Sequence, residues 1–417
     1  MMTSPNLLTH KNYCWEYIWS MILLFSIILA SLTFIIAIPI IVFAVECAAA
    51  MGDYNKSLPT FQDAKRPKIA VLIPAHNEAL EIEATLRGVF SQIKPEDSVV
   101  VIADNCQDKT AEIAAKAGAT VIERTNTKQK GKGYALDYGC QFLAKDPPQV
   151  VIMLDADCSI EPKMIERIAY QAQETKHPIQ ALYLMEPPAQ KTPEDLISAF
   201  AFLIKNLVRP KGLANLGQPC LLTGSGMAIP WPAIKEVKLA SDNIAEDMQL
   251  GIDLAIAGYT PQFCGEVKVL SRLPQKSSAK KSQRTRWEHG HLQVMISQIP
   301  RLLKNSWKTK RSDLLFLALE ISVPPLSLLV ILWFLVLVLD LMGGFFLNIW
   351  LPTQIILIFG FVLTLSILNS WRKFGSELIP FHKLLYIPFY LLWKIPLYFQ
   401  FLVSPQQEWI RTEREED

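Results

Sequence analysis

Two long apolar stretches bracket a middle in which apolar and polar residues alternate in short periods. Tyr17 to Val45 carries no charge, and lies between Glu16 and Glu46. That run exceeds the about 20 apolar residues a helix needs to cross a bilayer. A cleavable leader has an apolar core of only roughly 7–15 residues behind a positively charged start. The pattern therefore predicts a retained membrane helix over 18–45, within an N-terminal segment 1–50. The second apolar block covers 314–403, and Asp340 is the sole charge between Ile321 and Trp371. Gly343, Gly344 and Pro352 divide its first part into expected spans 317–340 and 352–370. The remainder, 376–403, includes Ile387–Val403 with Pro388, Lys394 and Pro396. It reads equally as a third span or as helices at headgroup level, and a charged tail, 404–417, follows.

The middle behaves differently. Lys68–Pro74, Ser98–Ala103, Ala119–Glu123 and Val150–Leu154 are short apolar runs of strand character. Leu80–Gln92, Asp108–Ala117 and Gly133–Ala144 have helical period between them. Strands alternating with roughly 10–15-residue helices indicate βαβ units, a mostly parallel sheet and the α/β class. A further helix is expected at Ala245–Ala257. Ile299–Arg311 reads as a basic amphipathic helix, 299–312, resting on an anionic leaflet. The domain itself is placed at 67–298, long enough to bury a full core.

Composition agrees with this division. Of 417 residues, 51% are hydrophobic and 19% charged, and 41 basic residues nearly balance 39 acidic ones. Disordered and collagen-like chains are excluded, as is a strongly basic nucleic-acid binder. The basic residues Arg301, Lys304, Lys308, Lys310 and Arg311 precede the second block, and Arg372 and Lys373 follow its second span. The positive-inside bias then places the middle in the cytoplasm and the 343–350 loop outside. Seven cysteines, with no Cys-x-x-Cys pair, argue against a disulfide framework or a zinc site.

In parallel sheets, ligands bind beyond the carboxyl ends of the strands. Pro74-Ala75-His76-Asn77-Glu78 follows the first strand, Asp104-Asn105 the second, and Asp155-Ala156-Asp157 the fourth. An Asp after a strand is often only a helix cap. Two carboxylates two residues apart are costly without a cation, and hard oxygen ligands favour Mg2+ or Mn2+ completed by phosphate oxygens. Lys128 to Gly133 adds positive charge and free N–H groups before a helix, without the P-loop pattern. Glu246-Asp247 opens a helix, where an acid either complements the dipole or serves as a general base. In Gln283-Arg284-Thr285-Arg286-Trp287, an Arg beside a Trp can clamp a diphosphate while the ring stacks on a sugar.

In this order the motifs resemble the membrane-integrated family 2 glycosyltransferases, which include cellulose, chitin and hyaluronan synthases and ceramide glucosyltransferases. The resemblance implies a GT-A fold and an inverting transfer from a nucleotide-diphosphate sugar, with UDP the usual carrier. It implies that Ala75, His76, Glu78, Asp104, Lys132, Asp155 and Asp157 bind the nucleotide sugar, with Asp157 on the metal. It implies Asp247 as catalytic base. Glu246, Gln283, Arg286, Trp287, Gly224 and Ser225 would lie toward the diphosphate and acceptor. Ala245 stands where the family often has Thr. The expected role is synthesis of an exopolysaccharide or cell-envelope glycan at a bacterial inner membrane, with membrane lipids and export proteins as partners. Glycosylation of a membrane lipid is the alternative. A transport or scaffold protein with a nucleotide-sensing domain would not need Asp157, Asp247 and Arg286 together.

Overall fold

The computed structural model describes residues 6–53 and 65–406, with side chains from residue 19 onward. The stretch 54–64 and the tail 407–417 lie outside the described residues. The chain begins with α1 (Asn6–Ala50), β1 (Ile69–Ala75), α2 (Ile82–Phe90), β2 (Ser98–Asp104), α3 (Thr110–Lys116), β3 (Thr120–Arg124), α4 (Lys132–Leu143) and β4 (Val150–Met153). It continues with β5 (Ser159–Ile160), α5 (Met164–Thr175), β6 (Ile179–Glu186), α6 (Pro193–Leu203), a π-helical turn (Ile204–Val208), α7 (Arg209–Asn215), β7 (Met227–Pro230), α8 (Trp231–Ile234), α9 (Glu246–Ile256) and β8 (Gln262–Arg272). Then come α10 (Ser277–Thr309), α11 (Ser312–Ser322), α12 (Leu326–Leu347), α13 (Leu351–Ser370) with a π-helical extension to Gly375, α14 (Phe381–Leu384) and α15 (Ile387–Val403).

The strands form one sheet in the order β3-β2-β1-β4-β7-β6-β8-β5. β3, β2, β1 and β4 are parallel, as their continuous apolar runs imply. Both faces of these strands are covered. Ile69, Val71 and Ile73 pack with Leu86 of α2 and Ile165 of α5. Ala70, Leu72 and Ile102 face the other way, onto Leu136 of α4 and Leu254 of α9. A strand buried on both faces has no polar side to alternate. The second half of the sheet, with β7 antiparallel to β4 and β6 paired to a distant β8, was not expected. The whole is a mixed, mostly parallel sheet of the α/β class.

Three expected boundaries change. Residues 299–309 are the last third of α10, a single helix from Ser277 to Thr309, and do not form a separate amphipathic helix. Val294 and Leu302 pack against Leu314, Leu317 and Ile321 of α11, while Leu303 and Trp307 stay exposed on the other side. The expected span at 317–340 is divided by Val323-Pro324-Pro325, and the long apolar helix starts at Leu326. Proline lacks the N–H a continuous helix would need and restricts the residue before it. Finally, Gly343 and Gly344 lie inside α12, which runs on to Leu347. A Cβ on Gly343 would fall 2.4 Å from Leu29 Cδ1, so the glycine lets α1 and α12 approach closely.

Among the described residues, the helical segments long and apolar enough to cross a membrane are Trp19–Ala50, Leu326–Leu347 and Leu351–Gly375. Thr33 of α1 donates to Asp340 of α12 at 2.8 Å, which gives that buried acid a partner. The base of α1 joins the domain through α7. Arg209 Nε meets Glu46 at 2.5 Å, and both side chains are buried. Gly212 allows the contact, because a Cβ there would lie 2.0 Å from the Glu46 carbonyl oxygen. Removing one member of a buried ion pair strands the other. Glu46→Ala is expected to destabilise the protein by about 3–5 kcal/mol, read as a lower thermal midpoint of the purified chain; an unchanged midpoint would remove this pair as the tie.

Candidate functional site

A cavity of about 920 Å³ opens at the carboxyl ends of β1, β2 and β4 and continues to the apolar helices. Ala75, His76, Glu78, Asp104, Lys132, Asp155 and Asp157 all line it. So do Gly224, Glu246, Asp247, Gln283, Arg286 and Trp287. Of the residues singled out in the sequence, Ser225 alone lies behind the wall. Fully buried, its hydroxyl accepts from the Asp155 N–H at 3.0 Å and meets the Cys158 thiol at 3.3 Å.

The edge at the ends of β1 and β2 is held by backbone and side-chain ties. His76 Nδ1 lies 2.6 Å from the Asp104 carbonyl oxygen. The Glu78 N–H donates to Thr110 Oγ1 at 2.7 Å. The Asp104 carboxylate is paired with Arg124 at 2.6 Å, and both are buried. Arg124 was not anticipated, yet β2 and β3 pair Asp104 directly with Arg124 in register. A basic residue ending a strand beside a strand-end acid was the available signal. Arg124 also donates to the Gln129 carbonyl at 2.8 Å, which anchors the loop leading to Lys132.

Lys132, the first residue of α4, sits among the acids. Its ammonium contacts Asp155 and donates to the Gly224 carbonyl at 2.7 Å. Burial alone would lower its pKa, but the charges of Asp155, Glu246 and Asp247 raise it above the ordinary lysine value. The Asp155 carboxyl is raised by burial and by Asp157, against the pull of Lys132. Glu246 is pushed up to about 7, by burial first and then by Asp247, with Lys132 and Arg286 opposing. Asp247 accepts from the Met248 N–H at 2.8 Å. Gly224, at φ +95°, closes the space between them: a Cβ there would lie 3.2 Å from Asp247 Oδ2 and 3.6 Å from Lys132 Nζ.

Asp155, Asp157 and Cys158 present ligand atoms within 4.8 Å of one another. Burial pushes the Cys158 thiol well up, so it stays protonated beside Ser225. The usable donors are therefore two carboxylates, a hard set that fits a divalent cation of the Mg2+ or Mn2+ kind. Ser271 donates to Asp157 at 2.8 Å and orients it.

The first turns of α10 close the far wall. Trp287 leans on Phe202 with ring centroids 5.5 Å apart, and Phe202 on Tyr183 at 5.6 Å. Arg284, between the motif residues, pairs with Asp195 and lies 5.3 Å from the Trp393 ring of α15. Glu288 pairs with Lys394 of α15.

Residues 70–206 match glycosyl transferase family 2, and residues 150–404 match glycosyl transferase family group 2. The chain belongs to glycosyl transferase family group 2. The cavity residues named above all lie within the matched regions. It is similar to a probable glycosyltransferase of Bacillus subtilis, with 24% identity over 63% of this chain and 64% of that one. It is similar also to the poly-beta-1,6-N-acetyl-D-glucosamine synthase of Staphylococcus aureus, with 24% identity over 64% of each chain. The chain thus matches just under two thirds of the length of these relatives. Among solved structures, a mannosyltransferase from Pyrobaculum calidifontis in complex with GDP-Man and Mn2+ superposes with a TM-score of 0.49 at 17% identity, over 87% of this chain and 99% of that one.

The raised Glu246 makes the glycosyltransferase pH-sensitive in one direction. Its carboxyl titrates near 4.5 when unfolded and about 7 in the fold. The native state therefore holds the proton more tightly, and that stability is complete below about pH 4.5 and lost as pH rises through about 7. From about pH 4.5 to about pH 8, wild type should lose about 3 kcal/mol relative to Glu246→Gln, which does not titrate. Thermal midpoints of both proteins across that window measure it; parallel curves would show that Glu246 is not raised.

Proposed function

We propose that this glycosyltransferase moves a sugar, with inversion, from a nucleotide-diphosphate sugar to a hydroxyl of a growing polysaccharide at a membrane. UDP is the carrier we favour. The observation that carries this reading is one continuous cavity. It has Asp155 and Asp157 at the sheet edge, Asp247 at the start of α9, and Phe43 of α1 and Pro324–Ser327 of the apolar region in its lining. Donor chemistry and apolar helices thereby share a single space.

In this reading Asp157, aided by Asp155, holds the divalent cation. When bound, the ion neutralises diphosphate charge and makes it a better leaving group. Asp104, His76 and Glu78 hold the nucleoside at the β1 and β2 ends. Asp247 accepts the proton of the acceptor hydroxyl as that oxygen attacks the anomeric carbon from the face opposite the diphosphate. Lys132 and Arg286 stabilise negative charge on the departing nucleotide. Gln283 and Trp287 position the acceptor, with the Phe202 and Tyr183 rings behind the indole to keep it in place.

The three long apolar helices support insertion in a membrane. The basic residues of 301–311 and 372–373 support a cytoplasmic catalytic domain, in a bacterial inner membrane, with export proteins as partners. The described α15, of 17 residues, supports the interfacial reading of 387–403: Lys394 faces α10 while Phe389, Leu392 and Phe399 are exposed. Transfer of a single sugar to a membrane lipid is the second reading, favoured by the small number of long apolar helices.

Purified chain should release nucleotide from one member of a nucleotide-sugar panel in the presence of manganese or magnesium, and mass analysis of the product distinguishes polymer from singly glycosylated lipid. No release from any donor would overturn the assignment. Asp247→Asn should keep nucleotide binding and lose turnover by roughly 10²–10⁴-fold. Asp157→Asn should lose the metal-dependent part of that binding, measured by calorimetry with and without chelator. Near wild-type transfer by the Asp247 variant would place the base elsewhere.

A further inference from the structure

The far end of the cavity contains polar groups that the reaction scheme leaves unused. The π-helical turn Ile204–Val208 interrupts the junction of α6 and α7. Such turns recur at functional sites, because the extra residue re-aims side chains. Here it brings Lys205 and Asn206 to the cavity wall. Asn206 is 3% exposed, and its Nδ2 donates to the Tyr183 carbonyl at 3.1 Å. That bond fixes the amide orientation and leaves Oδ1 with no donor. His291 of α10 lines the same wall, is 3% exposed, and its Nε2 has no partner. Thr223 Oγ1 and Gln283 Oε1, on the way to Asp247, are unpartnered as well. Buried polar atoms are nearly always hydrogen-bonded, so a row of them around a cavity offers hydrogen bonds to a polar ligand.

The charges decide which ligand. Arg209 is taken by Glu46, Lys394 by Glu288, and Lys132 by Asp155. Lys205 makes no hydrogen bond or ion pair among the described residues; burial lowers its pKa below the ordinary lysine value, with the field of Asp247 opposing. A buried ammonium beside a carboxylate across the same space leaves that end close to neutral. A phosphate or carboxylate entering it would meet Glu246, Asp247 and Glu288 on the surrounding walls. An uncharged polyol meets acceptors at Asn206 Oδ1 and Gln283 Oε1, and a donor at Lys205. At about 920 Å³ the cavity is at the upper end of the roughly 300–1,000 Å³ typical of ligand sites, so both a donor and an acceptor sugar can be accommodated.

We propose that Lys205 and Asn206 of the π-helical turn, with His291 opposite, form an acceptor subsite for an uncharged sugar unit between Asp247 and the apolar helices. This rests on the glycosyltransferase reading above and names the residues that select its acceptor. The subsite is chemically distinct from the donor edge: it holds hydroxyls, with no cation and no phosphate.

The test is binding without donor. Full-length chain in zwitterionic lipid nanodiscs is titrated with cellobiose, with chitobiose and with glucose 6-phosphate, observed by saturation-transfer NMR. At least one neutral disaccharide should bind saturably and more tightly than glucose 6-phosphate. Losing one hydrogen bond should weaken it roughly three- to tenfold in Asn206→Ala and in Lys205→Met, while Lys205→Arg retains it. Thermal midpoints of each variant verify folding. Unchanged affinity in both loss variants, tighter binding of glucose 6-phosphate, or no disaccharide binding to wild type would each overturn the proposal. UDP binding with manganese, measured in parallel on wild type, separates the two readings: its absence counts against the donor assignment, whatever the disaccharide result.

Discussion

One buried ammonium makes the rest of the site possible. Asp155, Glu246 and Asp247 come from a strand end and a helix start that are distant in the chain, and each would resist burial near the others. Lys132 offsets that cost from the first turn of α4, touching Asp155 directly and reaching the Gly224 carbonyl at the same time. The loop before it is itself held by Arg124, which also satisfies Asp104. Two basic residues thus allow four acids to stand along one cavity wall. Glu246 remains only partly compensated, as its raised pKa shows.

The second organising feature is the way the domain meets the apolar helices. α10 acts as a strut. Its first turns carry Gln283, Arg286 and Trp287, its middle supplies His291, and its last turns pack on α11. α15 latches onto it through Lys394 and through the Leu397 carbonyl, 3.0 Å from His289. α7 fastens α1 through Arg209 and Glu46. Cavity walls and apolar helices are therefore mechanically one unit, which is why Phe43 and Pro324–Ser327 can line the same space as Asp157.

Much of the cavity edge at the ends of β1, β2 and β4 was legible in the chain. Strands buried on both faces show as unbroken apolar runs, and in a parallel sheet the residues just after those runs necessarily gather at one edge. Pro74 to Glu78, Asp104 and Asp155 to Asp157 were found that way. Arg124, Lys205, Asn206 and His291 were not. Arg124 is visible only once β3 is known to lie beside β2. Lys205 and Asn206 sit in a stretch with an ordinary helical pattern, where a π-helical turn leaves no compositional mark. Ser225 was placed in the site but supports it from behind, because its strand-end turn points the hydroxyl at the Asp155 backbone. The misplaced start of the span expected at 317–340 has a local cause: Pro324-Pro325, after Glu320, marks the start of the long helix, and overall hydrophobicity masked it.

Local sequence determined the α/β class, the edge on which the acids collect and the existence of long apolar helices, since periodicity and run length depend on near neighbours alone. Tertiary structure decided which acids share a proton-holding environment, that α10 is a single strut, and that the donor edge opens onto the apolar helices. Those outcomes depend on contacts between residues far apart in the chain, such as Lys132 with Gly224 and Arg209 with Glu46. No pattern of nearest neighbours encodes a charge's distant partner, and it is the partner that sets both its energy and its chemistry.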